Sequence, residues 1–92
     1  MGKWAPPQLL SAHQLACARD AAWDTMQLRP PREHTREAYE KLRHLNNSQL
    51  HDGRWLVTLR EIKAGEEILV FKGWSFHQNQ QASRVHLSGA EQ

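Results

Sequence analysis

The sequence lacks most of the features that mark secreted, membrane-spanning and metal-binding proteins. Cys17 is the only cysteine among 92 residues, which excludes an internal disulfide and a thiolate zinc site. No apolar run approaches the ~18–20 residues that cross a membrane, and the first residues carry no secretion signal. The six histidines show no ligand-like spacing, and no glycine-rich phosphate loop is present. We therefore expect an intracellular protein, in the cytoplasm or nucleus, with no metal and no membrane segment.

An excess of charge of one sign is also missing. Twelve Lys and Arg against ten Asp and Glu give a net charge of +2, with a pI near 9.0. A dedicated nucleic-acid binder usually carries a stronger basic excess. Trp55 and Trp74, with Arg54 and Arg60 close to the first of them, give nucleic-acid binding only weak support. A protein partner is the stronger expectation.

The chain is long enough for one small domain. A domain of this length buries only ~60–65% of the surface that its unfolded chain exposes, so a protein partner or a second copy of the chain would add to a modest core. We expect residues 1–76 to form this domain. From His77 the sequence turns polar, which predicts a flexible tail over 77–92.

The first half of the sequence predicts two helices. Apolar residues at spacings of three and four predict one helix from Gln8 to about Leu28, with Ser11 as its N-cap. The Pro30-Pro31 pair ends it. Cys17 lies on the alanine-rich apolar side, where we expect it to be buried. A second helix is predicted from Arg32 or Thr35 to Leu45.

The second half predicts strands. Asp52-Gly53 is a dipeptide favoured in hairpin turns, and it precedes a strand over 54–60. Trp55, Val57 and Leu59 lie on one face of that strand, and Leu56 and Thr58 lie on the other. A tryptophan at such a strand position usually belongs to the core. Gly65 supplies a turn, and a further strand is predicted over 66–71. The expected fold class is α+β, with two N-terminal helices followed by a small antiparallel β unit.

One segment resembles a known family. Its residues are Arg60-Glu61-Ile62-Lys63-Ala64-Gly65-Glu66-Glu67-Ile68, followed by Leu69-Val70-Phe71-Lys72-Gly73 and Trp74-Ser75-Phe76. This passage is similar to the closing part of a SET-domain protein-lysine methyltransferase, and SAF-type modules of the related β-clip architecture share its Ile-x-x-Gly-Glu turn. Leu45-Asn46-Asn47-Ser48 is similar to the family's Asn-His-Ser motif. The resemblance covers about residues 45–76.

The resemblance implies a cofactor and a reaction. A SET protein transfers a methyl group from S-adenosylmethionine to a lysine of a substrate protein. By analogy, Asn46 and Asn47 would lie near the cofactor, with Trp74 or Phe76 against its adenine. Lys72 stands where the family has a tyrosine, and nothing before Asn46 resembles the family's Gly-x-Gly cofactor segment. No catalytic residue is assigned, and we expect a truncated or catalytically inactive relative.

The alternative is a protein without any catalytic role. In this interpretation the chain is a small interaction module or inhibitor that binds a partner protein through its helices and exposed tryptophans. Binding of S-adenosylmethionine would separate the two hypotheses.

Overall fold

The computed structural model describes residues 6–80 of the chain. They form an α+β fold in which short helices pack on a four-stranded mixed sheet, so the predicted fold class is confirmed. The elements are β1 (Gln8–Leu9), α1 (Ala12–Cys17), α2 (Ala21–Met26), α3 (Arg36–Lys41), β2 (Ser48–His51), β3 (Trp55–Thr58), β4 (Val70–Phe71) and α4, which starts at residue 74 and continues to 80. Two 3₁₀ turns, Pro31–Glu33 and Arg43–Leu45, flank α3.

The prediction of one long helix over residues 8–28 is wrong, because the chain forms β1 and two short helices there. Ser11 caps α1 through a capping box with Gln14, as its sequence position predicts. The chain then becomes extended, and the Arg19 carbonyl accepts a hydrogen bond from the Val70 amide at 2.8 Å. Asp20 starts α2 by accepting a hydrogen bond from the Trp23 amide. Pairing with a distant strand therefore overrides the local preference of an alanine-rich sequence.

The prediction that Cys17 is buried is also wrong. The thiol is exposed, and α1 buries none of its own residues. Only Leu15 of α1 packs, and then only partly, against the core. Because α1 is a separate surface helix, its small residues do not face a neighbouring element.

The second predicted helix forms in outline. The Thr35 hydroxyl accepts a hydrogen bond from the Ala38 amide at 3.1 Å and caps α3. After Lys41 the chain tightens into the 3₁₀ turn that ends at Leu45.

The sheet has the order β1-β3-β2-β4. β2 and β3 form the predicted antiparallel hairpin, in which Asp52 and Gly53 both adopt positive φ. β4 pairs with β2 in parallel, so the β unit is not wholly antiparallel. The strand predicted over 66–71 is shorter than expected, because only Val70 and Phe71 join the sheet.

The core face of β3 is the opposite of the predicted one. Leu56 is 7% exposed and packs with Leu10 and Val70, whereas Trp55 is 42% exposed. Burial does not alternate strictly, because Val57 and Thr58 are both half-buried. The packing of Leu56 with Leu10 and Val70 determines which side chain of the strand enters the core. A second core cluster joins Ala22, Met26, Tyr39 and Phe71.

The polar segment after residue 76 begins inside the folded part of the chain. His77 is only 8% exposed and lies on α4. The predicted flexible tail is therefore wrong at His77, and residues 81–92 lie outside the described part. No helix within residues 6–80 is long and apolar enough to cross a membrane.

Leu56→Ala should lower the free energy of unfolding by about 2–4 kcal/mol, because it removes a buried side chain from a small core. Leu28→Ala is the matched control, since Leu28 is 86% exposed, and we expect a change within about 0.5 kcal/mol. Urea unfolding followed by circular dichroism measures both. Equal losses in the two variants would contradict the assignment of the core face.

Candidate functional site

A single buried carboxylate lies where the helices meet the end of the sheet. Asp20 is 4% exposed. Its Oδ1 accepts hydrogen bonds from the Trp23 amide at 3.2 Å and Asn46 Nδ2 at 3.1 Å. Its Oδ2 accepts from the Tyr39 hydroxyl at 2.5 Å, the Lys72 amide at 3.1 Å and His77 Nε2 at 3.0 Å. Five donors from five parts of the chain therefore converge on one side chain.

The surroundings of Asp20 keep it ionised. Burial acts to raise the pKa of this carboxyl group, but the hydrogen bonds from His77, Tyr39 and the backbone outweigh it and hold the pKa below its usual value. Burial, together with the bond to Asp20, raises the pKa of the Tyr39 phenol. Tyr39 is therefore a neutral donor, and its oxygen also accepts a hydrogen bond from the Gly73 amide at 2.9 Å.

Aromatic rings close this cluster against solvent. The Trp23 and His77 rings stack with centroids 3.9 Å apart, and Tyr39 stacks on Phe71 at 4.6 Å. Tyr39 is fully buried, so its hydroxyl does not reach a bound molecule. The cluster around Asp20 is a structural centre.

Asn46 and Asn47 are each held by bonds within the protein. Asn46 is 4% exposed, and its Oδ1 accepts a hydrogen bond from the Ala21 amide at 2.8 Å. Asn47 is fully buried: its Nδ2 donates to the Glu67 carbonyl at 2.7 Å, and its Oδ1 accepts from the Leu69 amide at 2.9 Å. The Asn-Asn-Ser segment and the Gly-Glu-Glu segment that carry the resemblance are therefore in direct contact.

The turn at Gly65 forms as predicted, with φ of 85°. Glu66 closes it, because its carboxylate accepts from the Lys63 amide at 3.1 Å and from Arg60 Nη2 at 2.6 Å. The bond from Arg60, with those from the Lys63 amide and Asn47, lowers the pKa of Glu66 to about 2.

Trp74 and Phe76, the other two predicted site residues, line a cavity of about 210 Å³. Leu50 and Phe71 add to its apolar wall, and cations lie at its edge. The Arg43 guanidinium sits 4.5 Å from the centroid of the Phe71 ring, and Lys72 Nζ lies 5.2 Å from that of Phe76. We call this the aromatic pocket.

The four predicted site residues do not share one site. Asn46 lines a second depression, of about 440 Å³, with Lys41, His44, Leu59 and Arg60. Arg43 and Glu40 line both depressions. Asn47 lines neither.

These residues fit S-adenosylmethionine poorly. The aromatic pocket formed by the described residues is smaller than the ~300–1,000 Å³ of typical small-molecule sites. Lys72 and Arg43 at its edge would repel the cofactor's sulfonium, and the polar atoms of Asn47 are already bonded within the protein. Among residues 6–80, no group of three His, Cys, Asp or Glu side chains is placed to hold a metal ion.

Sequence reasoning did not identify Asp20, Tyr39 and His77 as members of one cluster. A signal for Asp20 existed, since an aspartate before Ala21-Ala22 is a good N-cap. Tyr39 and His77 gave no such signal, because 38 positions separate them and only the tertiary fold brings both to one carboxylate.

Asp20→Asn should lower the free energy of unfolding by about 3–5 kcal/mol, because an amide nitrogen would replace an oxygen that faces three donors. Asp24→Asn is the matched control, because the Asp24 side chain is 51% exposed. This substitution should lower the free energy of unfolding by less than about 0.5 kcal/mol. Urea unfolding at neutral pH compares them. Similar costs for both variants would show that Asp20 does not organise the cluster.

Stability should also fall with acid. The pKa values of Asp20 and Glu66 are lower in the folded chain than in the unfolded one. Below about pH 4 the unfolded chain therefore binds more protons, and the stability present above that pH is lost as pH falls. Glu66→Gln should flatten the dependence of unfolding free energy on pH between about 4.5 and 2. An unchanged slope, measured by urea unfolding across this range, would contradict the Arg60–Glu66 contact.

No family model, curated protein or solved structure matches this chain. The resemblance to SET domains rests on the residues quoted above. The structure itself establishes the α+β fold, the Asp20 cluster and the two depressions.

Proposed function

We propose that this protein is a SET-like binding module that recognises a protein partner and does not transfer methyl groups. The observation that carries the proposal is the aromatic pocket. It is open to solvent and lined by aromatic rings beside cationic and polar side chains, while Asn47 is turned inward and bonded.

The contact between the two resembling segments supports the SET-like part of the proposal. Asn47 fixes the segment from Glu66 to Leu69 through three hydrogen bonds. Two short motifs that match separately by chance have no reason to meet in the fold. In this fold they are joined by the buried amide of Asn47, which holds the Gly65 turn against β2. This contact is a physical reason for both motifs to occur in one chain.

The position of Lys72 supports binding without methyl transfer. The family's tyrosine would contribute its phenol at this position. Here the backbone amide of Lys72 bonds to Asp20, and its side chain lies against Phe76. An ammonium group at this place opposes both a sulfonium and a substrate ammonium. Tyr39 does not replace the phenol, because it is buried and bonded at its oxygen.

Half-buried aromatic rings beside arginine are typical of the residues that dominate protein interfaces. Trp74 and Phe76 are both half-buried at the aromatic pocket. The pocket has room for one anchoring side chain of a partner. The exposed Trp55 lies on β3 and is not part of its lining.

Selection from a random peptide library on the immobilised protein tests the proposal. We expect enriched peptides that share an aromatic or long aliphatic residue. Phe76→Ala should weaken their binding about tenfold, since losing one anchor contact costs ~1–2 kcal/mol. Fluorescence anisotropy measures the affinities.

Leu28→Ala is the control, because it removes an exposed apolar side chain outside both depressions. Equal weakening by Leu28→Ala and Phe76→Ala would indicate non-specific adhesion and overturn the assignment to the pocket. Calorimetry with millimolar S-adenosylmethionine should give no binding heat. Saturable binding, with methyl transfer to a lysine peptide, would contradict the non-catalytic role.

A further inference from the structure

The aromatic pocket and the second depression are neighbours. Both are lined by Glu40, from α3, and by Arg43, from the 3₁₀ turn after it. These two side chains are in contact, with Arg43 Nη2 3.1 Å from Glu40 Oε2. An extended segment of a partner can therefore leave one depression and enter the next by crossing Arg43.

Positive charge collects on this surface. Five cationic side chains line the two depressions, with Glu40 as the one carboxylate in their described lining: Arg36, Lys41, Arg43, Arg60 and Lys72. Glu40 lies 3.8 Å from Arg36 and 3.1 Å from Arg43. Two carboxylates outside the lining pair with further cations, Glu37 with Lys41 at 3.4 Å and Glu66 with Arg60 at 2.6 Å. Five cations against these three carboxylates leave the surface positive. The net charge of the whole chain is also +2, so its excess of positive charge lies at this surface.

Lys72 adds a second observation. It is half-buried, and within the described part of the chain no carboxylate lies within 4.0 Å of its ammonium. Burial lowers the pKa of this ammonium. A bound anion would replace the water that the ammonium has lost, and it would lie beside the Phe76 ring.

Apolar surface is available in both depressions. Trp74 and Phe76 line the first. Leu59, which is 38% exposed, lies in the second. Aromatic and aliphatic side chains next to cations match a segment that combines an aromatic or aliphatic anchor with carboxylates.

We propose that the partner segment is an acidic linear peptide, which places an apolar side chain in the aromatic pocket and crosses Arg43 so that its carboxylates face Lys41 and Arg60. This inference rests on the proposed function and specifies the chemistry of its partner. The peptide's carboxylate next to the anchor pairs with Lys72.

Labelled synthetic peptides test the inference by fluorescence anisotropy. The long probe has a phenylalanine anchor and a run of glutamates, made in both chain directions, and its matched control has glutamine in place of every glutamate. A short probe keeps the anchor and only the adjacent glutamate. We expect the glutamate probes to bind at least tenfold more tightly than the control, with affinity that falls as salt is raised.

Two lysine variants locate the peptide. Lys72→Gln should weaken both glutamate probes about tenfold, as expected for a charge-assisted bond of ~1.5 kcal/mol. Lys41→Gln should weaken only the long probe, by about threefold, since exposed pairs contribute less. Lys63→Gln is the matched control, because Lys63 is exposed and lines neither depression. Unfolding curves confirm that all three variants remain folded.

The outcomes separate the inference from the proposed function. If the glutamine control binds as well as the glutamate probe and Phe76→Ala weakens both, the acidic peptide is wrong and the binding module stands. If Lys41→Gln weakens short and long probes alike, or neither, the path across Arg43 is wrong. If no probe binds, or a labelled single-stranded oligonucleotide binds more tightly and depends on Lys72, the inference is overturned.

Discussion

The carboxylate of Asp20 is the contact on which this fold depends. A buried anion is costly unless donors surround it, and here they come from α2, α3, the segment after the second 3₁₀ turn, the end of β4 and α4. None of these elements is long enough to be stable alone, because isolated helices shorter than ~12–15 residues are marginal in water. Hydrogen bonds to this one carboxylate therefore hold together short elements that share only a small apolar core.

The hydrogen bonds around Asp20 also determine the shape of the aromatic pocket. Asp20 holds the Lys72 amide and Tyr39 holds the Gly73 amide, so the backbone is fixed where the sheet ends and α4 begins. Gly73 adopts φ of 101°, which a residue with a Cβ resists. Phe71 is thereby buried on Tyr39, while Lys72 extends toward Phe76. The aromatic pocket is a consequence of the buried network, although the two share few side chains.

Polar groups in this protein are divided between two tasks. Those of Asp20, Asn46 and Asn47 are buried and bonded, and they hold segments together. Those of the arginines and lysines around Arg43 stay at the surface, where exposed ion pairs contribute little to stability and their field acts on an approaching partner. Exposed cations at the depressions, such as Arg36 and Lys41, therefore contribute little to holding the fold.

The sequence by itself determined the local features, since these depend on neighbouring residues. Ser11 caps a helix, Asp52-Gly53 turns the hairpin and Gly65 turns the chain, as predicted. Thr35, one of the two predicted starts of the second helix, caps α3. The tertiary structure decided what depends on distant partners. Pairing of Arg19 with the β4 segment interrupts the predicted long helix, and packing on Leu10 and Val70 selects Leu56 rather than Trp55 for the core. The Asp20–Tyr39–His77 cluster joins residues with no pattern in the sequence, because a hydrogen bond requires nearness in space and not along the chain.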